Sequence, residues 1–257
     1  MAATPLRPDT RRFRLLAMVL ALSIAIGAVG LAAYVGDWFD EESADAEPTT
    51  TVPPPTSTST TVAPSVPVAT TLVQVALPGG DMPTFDGPNG TQIGTAGHWY
   101  GYEQTMPVIA EQPGWYQIRL PERPNGLTAW VRASDVVTST TPYRVVLSLN
   151  RTRVTVYKDG YFAFDMPGGF GKASTPTPRG NYYVAVVERD VPGYGPVVLD
   201  LSAHSEAIQS WQGSGDAIIA LHGPFGSSSR IGTIGTYLSN GCIRLHTEDQ
   251  LKLAVIP

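Results

Sequence analysis

The chain predicts a mainly β fold, a small barrel followed by a larger β-rich domain with one or two short helices. Three observations carry that expectation. Short apolar stretches recur from Leu72 to His222, several of them alternating with polar residues, the period of a half-buried strand. Turn formers separate them, among them Pro78-Gly79-Gly80, Asp86-Gly87-Pro88-Asn89-Gly90, Pro124-Asn125-Gly126 and Lys158-Asp159-Gly160. A helical pattern is read from Thr247 to Val255, with Thr247 as the expected N-cap, Glu248 and Asp249 in the first turn, and Leu251, Leu253 and Ala254 apolar.

The 257 residues suit one or two domains, preceded here by a segment of different composition. Arg7, Arg11, Arg12 and Arg14 lie in a tail over 1–14, and an uncharged apolar run follows over 15–35, long enough to span a bilayer as a helix. Asp37, Asp40, Glu41, Glu42, Asp45 and Glu47 come immediately after it. The arginines should stay cytoplasmic, so the run is expected to be a single-pass anchor with the rest of the chain outside. A cleaved signal peptide is the competing reading, and small residues at Ala32-Ala33 suit it. Residues 36–71 form a linker rich in Thr, Pro and Ser that cannot bury a core, and it reads as an extended tether.

Beyond Leu72 there are 13 Lys and Arg against 15 Asp and Glu. With no basic stripe, this region is not expected to bind nucleic acid. His98, His204, His222 and His246 are far apart, so no metal-ligand spacing is present and no cofactor is expected.

Residues 72–141 read as the small β unit. Gly114-Trp115-Tyr116-Gln117-Ile118-Arg119-Leu120 alternates, Leu127-Thr128-Ala129-Trp130-Val131 follows a turn, and Ser134-Asp135-Val136-Val137 closes the segment. These residues resemble the last strands of a bacterial SH3-like module, which implies a spacer or a wall-ligand module. Trp115, Tyr116 and Trp130 are expected mostly in its core. His98, beside Trp99 and Tyr100, is read as surface or packing.

Residues 142–257 form the second domain. Its expected strands are Tyr143 to Leu149, Arg153 to Tyr157, Tyr161 to Asp165, Tyr182 to Val187, Val197 to Asp200 and Ala217 to His222, and Leu201 to Ser205 reads as a polar loop holding His204. Ser239-Asn240-Gly241-Cys242 carries the only cysteine of the chain, and His222 lies twenty positions upstream in Ala220-Leu221-His222-Gly223. A thiol becomes a useful nucleophile as thiolate, and a neighbouring imidazole is a usual route to it. From the residues alone, a small buried hydrophobe that happens to be cysteine remains the other reading.

Three blocks then occur in order: Arg153 to Asp165; Gly168-Gly169-Phe170-Gly171-Lys172 with Ser174-Thr175-Pro176-Thr177-Pro178-Arg179-Gly180 and Tyr182-Tyr183-Val184; and Ile219 to Gly223 through Ile234-Gly235 to Ser239–Arg244. Together they resemble the YkuD-type L,D-transpeptidase catalytic domain of bacterial cell-wall enzymes. The resemblance implies Cys242 as nucleophile, His222 as base, the Gly223 carbonyl as the acceptor that orients the imidazole, and the Gly241 and Cys242 amides as the oxyanion hole. Ser239, Asn240, Tyr237 and Arg244 are the expected substrate-side residues. Arg244 either holds a substrate carboxylate or makes a structural ion pair, and Tyr237 either walls the cleft or packs. Asn240 stands where the family often has histidine. His204 could line the cleft, His246 stands near the cap of the last helix, and Gly226 to Gly235 is expected to be a mobile flap.

The implied activity is peptidoglycan cross-linking. Cys242 attacks a tetrapeptide stem, D-alanine leaves, and the side-chain amine of a neighbouring stem resolves the thioester. The alternatives are an L,D-carboxypeptidase, in which water resolves it, and a non-catalytic wall-binding scaffold. The resemblance further implies stem peptides as partners and carbapenem-type β-lactams as covalent inhibitors, and the expected anchor puts the enzyme at the cell membrane on the wall side. The resemblance also implies a glycine turn and closing strand after Val255-Ile256-Pro257.

Overall fold

The computed structural model describes residues 66–254 and 256. The tail, the apolar run over 15–35 and most of the tether lie outside the described residues. No helix among the described residues is long and apolar enough to cross a membrane.

The first domain consists of β1 (Thr70–Val75), β2 (Met82–Phe85), β3 (Gln92–Ala96), β4 (His98–Trp99), β5 (Tyr102–Glu103), β6 (Met106–Gln112), β7 (Trp115–Arg119), β8 (Thr128–Arg132) and β9 (Val136–Thr141). Seven of these make one sheet in the order β3-β2-β8-β7-β6-β1-β9, while β4 and β5 form a separate hairpin. Alternate residues turn inward, so Val73, Met82, Met106, Ile118 and Val131 are buried together. Strand β1 starts two residues earlier than the composition suggested, because Thr70 and Thr71 pair with Thr141 and Thr140 of β9. Trp115 is buried with its ring 5.1 Å from that of Phe85, edge to face, and the Arg132 guanidinium lies 4.5 Å from the Phe85 centroid. Tyr116 and Trp130 are half-buried. His98 Nδ1 lies 2.9 Å from Asp81 Oδ1 near the surface.

The second domain begins with β10 (Tyr143–Ser148), β11 (Arg153–Lys158) and β12 (Tyr161–Pro167), an antiparallel three-stranded sheet. Asp159 at φ 50° and Gly160 at φ 78° make the tight turn between the last two, the left-handed pair that a two-residue hairpin requires. The chain continues through β13 (Phe170–Gly171), β14 (Val184–Val191), β15 (Gly195–His204), β16 (Ile218–His222), β17 (Tyr237–Ser239), β18 (Ile243–Arg244) and α1 (Thr247–Ala254). Four of these form a sheet in the order β14-β15-β16-β18, in which β16 and β18 run parallel. The core contains Val154, Val156, Met166, Phe170, Ile219, Leu221, Ile243, Leu245 and Leu253.

Two features differ from expectation. Strand β15 extends to His204, so the supposed polar loop is strand, and His204 is 1% exposed. Its polar residues are buried against the first domain rather than turned to water. His204 Nε2 is 2.5 Å from the Pro121 carbonyl and Nδ1 is 2.8 Å from Asp216 Oδ2. Asn125 exchanges two 2.8 Å hydrogen bonds with the His204 backbone, and Arg123 Nε donates to Asp216 Oδ1 at 2.8 Å. His204 therefore belongs to the seam between the domains. The second difference is the start of α1. The His246 carbonyl accepts the amides of Asp249 and Gln250 at 3.0 Å, so the cap falls one residue before Thr247.

Candidate active site

Cys242 sits in the short loop between β17 and β18, and three hydrogen bonds set that loop. The Ser239 hydroxyl donates to the Cys242 carbonyl at 2.6 Å and accepts the Gly241 amide at 3.1 Å. Thr177 donates to the Gly241 carbonyl at 2.7 Å and accepts the Gly171 amide at 2.9 Å, which ties the second sequence block to the third. Gly241 has φ 126°, and a Cβ there would lie 2.7 Å from Ile219 Cδ1, so both backbone shape and space demand glycine. Asn240 faces the same block, with its Oδ1 3.4 Å from the Thr175 hydroxyl.

The parallel pairing of β16 with β18 sets Leu221 opposite Ile243 and His222 opposite Arg244. Cys242, one residue before Ile243, consequently lies beside Ala220 of β16, two residues before His222. The thiol donates toward the Ile218 carbonyl at 3.9 Å. Burial pushes the thiol pKa up and dominates. The Ala220 amide opposes it, the negative charge of Asp200 reinforces it, and Arg244 and the Cys242 amide favour the thiolate. Of the two amides expected to bind an oxyanion, the Cys242 amide therefore faces its own sulfur, and the Gly241 amide is engaged by Ser239.

His222 is 3% exposed at the end of β16. Its Nδ1 is 2.9 Å from the Gly223 carbonyl. With the Nδ1 proton donated there, Nε2 is left as the basic nitrogen. Burial lowers the imidazole pKa to about 4; the Gly223 carbonyl opposes this and the positive Arg244 adds to it. The resting pair is thus neutral thiol and neutral imidazole, and proton transfer belongs to the attack itself. Tyr194 and Phe225 enclose the ring, with centroids 4.9 Å and 6.2 Å away.

Gly223 is held from both sides. Its amide donates to the Tyr194 carbonyl at 2.6 Å, and a Cβ would stand 2.7 Å from that oxygen and 2.9 Å from Gln250 Oε1. Gln250, buried on α1, donates to the Tyr194 and Val197 carbonyls at 3.0 and 2.6 Å. The helix thereby sets the turn that orients the base.

Arg244 donates to the Ser227 hydroxyl at 2.6 Å and lies 5.5 Å from the Phe225 centroid. No carboxylate pairs with it among the described residues, so the structural ion pair is not found, and its Nε is buried without a partner. Tyr237 is half exposed on β17. The Gly226–Gly235 segment is pinned at two points: Ser227 is buried under Arg244, and the Gly232 carbonyl accepts the Thr152 hydroxyl at 2.9 Å. Sequence reasoning did not single out Thr177, Tyr194, Phe225, Ser227 or Gln250. Only Thr177 had a signal, its place in the Thr-Pro-Thr-Pro block.

Residues 142–255 match the family model described as YkuD, the L,D-transpeptidase catalytic domain. Over these residues, somewhat less than half of the chain, the sequence is similar to that family. The chain is 35% identical over 119 residues to a Bacillus licheniformis protein named for L,D-transpeptidase YkuD, covering 46% of this chain and 61% of that one. It is 30% identical over 118 residues to the Bacillus subtilis protein of the same name, covering 46% and 62%. The match therefore spans about three fifths of each relative's length. An L,D-transpeptidase from Mycobacterium smegmatis is structurally similar at 17% identity and a TM-score of 0.36, covering 70% of this chain and 92% of that one.

Proposed function

We propose that this protein is a peptidoglycan L,D-transpeptidase that works through a Cys242 thioester. The observation that carries the reading is the placement, inside a region that matches the YkuD family model, of a cysteine in the loop entering β18 beside the strand that ends in an imidazole, with the imidazole oriented by the Gly223 carbonyl. His222 Nε2 takes the thiol proton as sulfur attacks the carbonyl carbon before the terminal D-residue of a tetrapeptide stem, and returns it to the leaving amine. An amine of a second stem then attacks the thioester. Nitrogen–carbon bond formation expels sulfur, and the nitrogen proton returns to sulfur through His222.

The Cys242 amide is the donor best placed for the oxyanion, because the Gly241 amide already serves Ser239. Arg244 has a free Nε and a positive charge beside both reacting groups, which suits a stem carboxylate. Ser239 and Asn240 shape the loop that the stem meets, and Tyr237 offers an exposed ring at its edge. Carbapenem-type β-lactams, as strained acyl donors, would acylate the same sulfur.

The first domain is read as an SH3-like spacer, supported by its alternating strands and the Trp115 and Trp130 segments. The arginine-flanked apolar run and the Thr/Pro tether support an anchored, extracytoplasmic enzyme on the wall side. Incubation with disaccharide-tetrapeptide followed by mass spectrometry tests the activity. A cross-linked dimer with loss of D-alanine, absent in Cys242→Ala, is expected. A tripeptide alone would make the protein a carboxypeptidase, and unchanged substrate with folded protein would make it a scaffold.

A further inference from the structure

One carboxylate beside the nucleophile has no role in the chemistry above. Asp200 lies on β15 directly opposite Ala220 of β16. Residues paired across strands share a sheet face, so Asp200, Ala220 and, two positions on, His222 point to one side. Cys242 lies beside Ala220, one step back from the Leu221–Ile243 pair. Asp200 and Cys242 are thus two strand spacings apart, about 10 Å between backbones, with only a methyl group between them.

Asp200 lines a cleft of about 510 Å³ together with Ile218, Trp211, Gln212, Ser214 and Tyr100 among others. Ile218, whose carbonyl faces the thiol, is among its lining residues. The other cleft, lined by Tyr194 and Phe225, lies on the imidazole side. Two carboxylates line the Asp200 cleft, and their situations differ. Asp216 is held by Arg123, the Ala217 amide and Tyr100. The Asp200 carboxylate makes no hydrogen bond or ion pair among the described residues. Burial, then the charge of Glu188, raises its pKa to about 6, so the carboxylate is ionised at neutral pH while poorly solvated. It is close enough that its charge also opposes ionisation of the Cys242 thiol.

We infer that Asp200 is the specificity-determining residue for the acyl acceptor, its carboxylate receiving the primary ammonium of an incoming side chain in the cleft beside the thioester. This rests on the transpeptidase reading. The geometry suits one amine. Once the ammonium has given one proton to water in the cleft, the neutral amine stays hydrogen-bonded to the carboxylate at about 3 Å, which sets it near the roughly 3–3.5 Å attack distance of the thioester carbon, and its second proton leaves through His222. Water has no such charge to offer, so the carboxylate favours amine over hydrolysis. Trp211 and Tyr100 supply apolar walls for the alkyl stem carrying the ammonium. Asp200 does not touch the acyl donor. Its removal leaves thioester formation no slower, since a charge opposing the thiolate is lost with it.

The test uses the full chain in detergent, a tetrapeptide stem as donor and a stem tripeptide bearing the diamino acid as acceptor. Thioester formation is followed by intact mass and products by chromatography. Asp200→Asn is expected to acylate at least as fast as wild type. Its ratio of cross-linked to hydrolysed product should fall tenfold or more, and the half-saturating acceptor concentration should rise about tenfold. Asp200→Glu should recover part of both. An unchanged product ratio in an acylating Asp200→Asn protein overturns the inference and leaves the transpeptidase reading intact. A wild-type thioester resolved only by water at millimolar acceptor also overturns the inference, while cysteine acyl transfer stands. Wild-type protein that never acylates overturns both.

Discussion

The Thr177 hydroxyl lies 2.7 Å from the Gly241 carbonyl, joining positions 64 apart. The bond places the peptide immediately before the nucleophile under the control of the Thr-Pro-Thr-Pro turn. Thr177 also accepts the Gly171 amide, so one buried side chain holds two otherwise unpaired backbone groups. Thr177→Val should remove both bonds and destabilise the protein by about 2 kcal/mol, seen as a lower urea midpoint. Thioester formation should slow by tenfold or more, and Thr177→Ser should restore both.

Gly223 leaves no room for a side chain. Gly223→Ala would drive a methyl group against the Tyr194 carbonyl and Gln250, displacing the carbonyl that orients His222. The expected result is a folded protein with acylation slowed by at least a hundredfold and Cys242 still alkylated by iodoacetamide. Acylation at the wild-type rate would mean that the imidazole is oriented by something else.

The neutral resting pair gives a defined pH dependence. The His222 pKa is lowered to about 4, so the imidazole remains a competent base down to roughly that pH, and the acid limb of kcat/KM should fall there instead of near 6.5. The thiol pKa is raised, so alkylation of Cys242 at pH 7 should be slower than that of free cysteine and should climb as pH rises above the ordinary thiol range. An acid limb near pH 6.5 would mean that burial does not depress the imidazole in this way.

Asp200 carries a thermodynamic signature separate from catalysis. Its folded pKa is raised from 3.8 to about 6, so the fold prefers the protonated acid. Stability is lost as pH climbs from about 4 to about 6, and the loss stays constant above. Discounted for partial solvent access, it is on the order of 1–2 kcal/mol. Asp200→Asn should therefore raise Tm at pH 7.5 and leave it nearly unchanged at pH 4.

The domain seam offers a structural test. Arg123 bonds Asp216 and the Ile208 carbonyl, and burial of Asp216 is outweighed by the Ala217 amide, Arg123 and His204, which hold its carboxyl below the usual range. Arg123→Ala should destabilise the protein by about 1–3 kcal/mol in thermal unfolding, with the Asp216 carboxylate left to the Ala217 amide, Tyr100 and His204.

The mainly β character and the blocks around Cys242 and His222 were legible because glycine, proline and cysteine mark backbone shapes and chemistry directly. Gly241 is an example, since its left-handed conformation and contact with Ile219 admit no other residue. Strand β15 was less legible. Leu201 to Ser205 reads as loop on polarity, yet those residues are buried by another domain whose surface one local window does not contain. Asp200 was missed for a related reason: its meaning lies in the register against Ala220, which depends on strand pairing. Tyr194, Phe225 and Gln250 likewise act through contacts between segments far apart in sequence.

The parallel pairing of β16 and β18 has a consequence for how the chain can be altered. The base is held at the end of β16 and the nucleophile by the short loop entering β18, so the connection between them need not have one length. Ser227 and Gly232 are fastened, but Ile234 is 74% exposed and a Cβ on Gly235 would meet open space. The Ile234–Gly235 junction is therefore the place where extra residues, a reporter peptide or an affinity tag can be spliced into the middle of the active-site segment while His222 and Cys242 keep their positions.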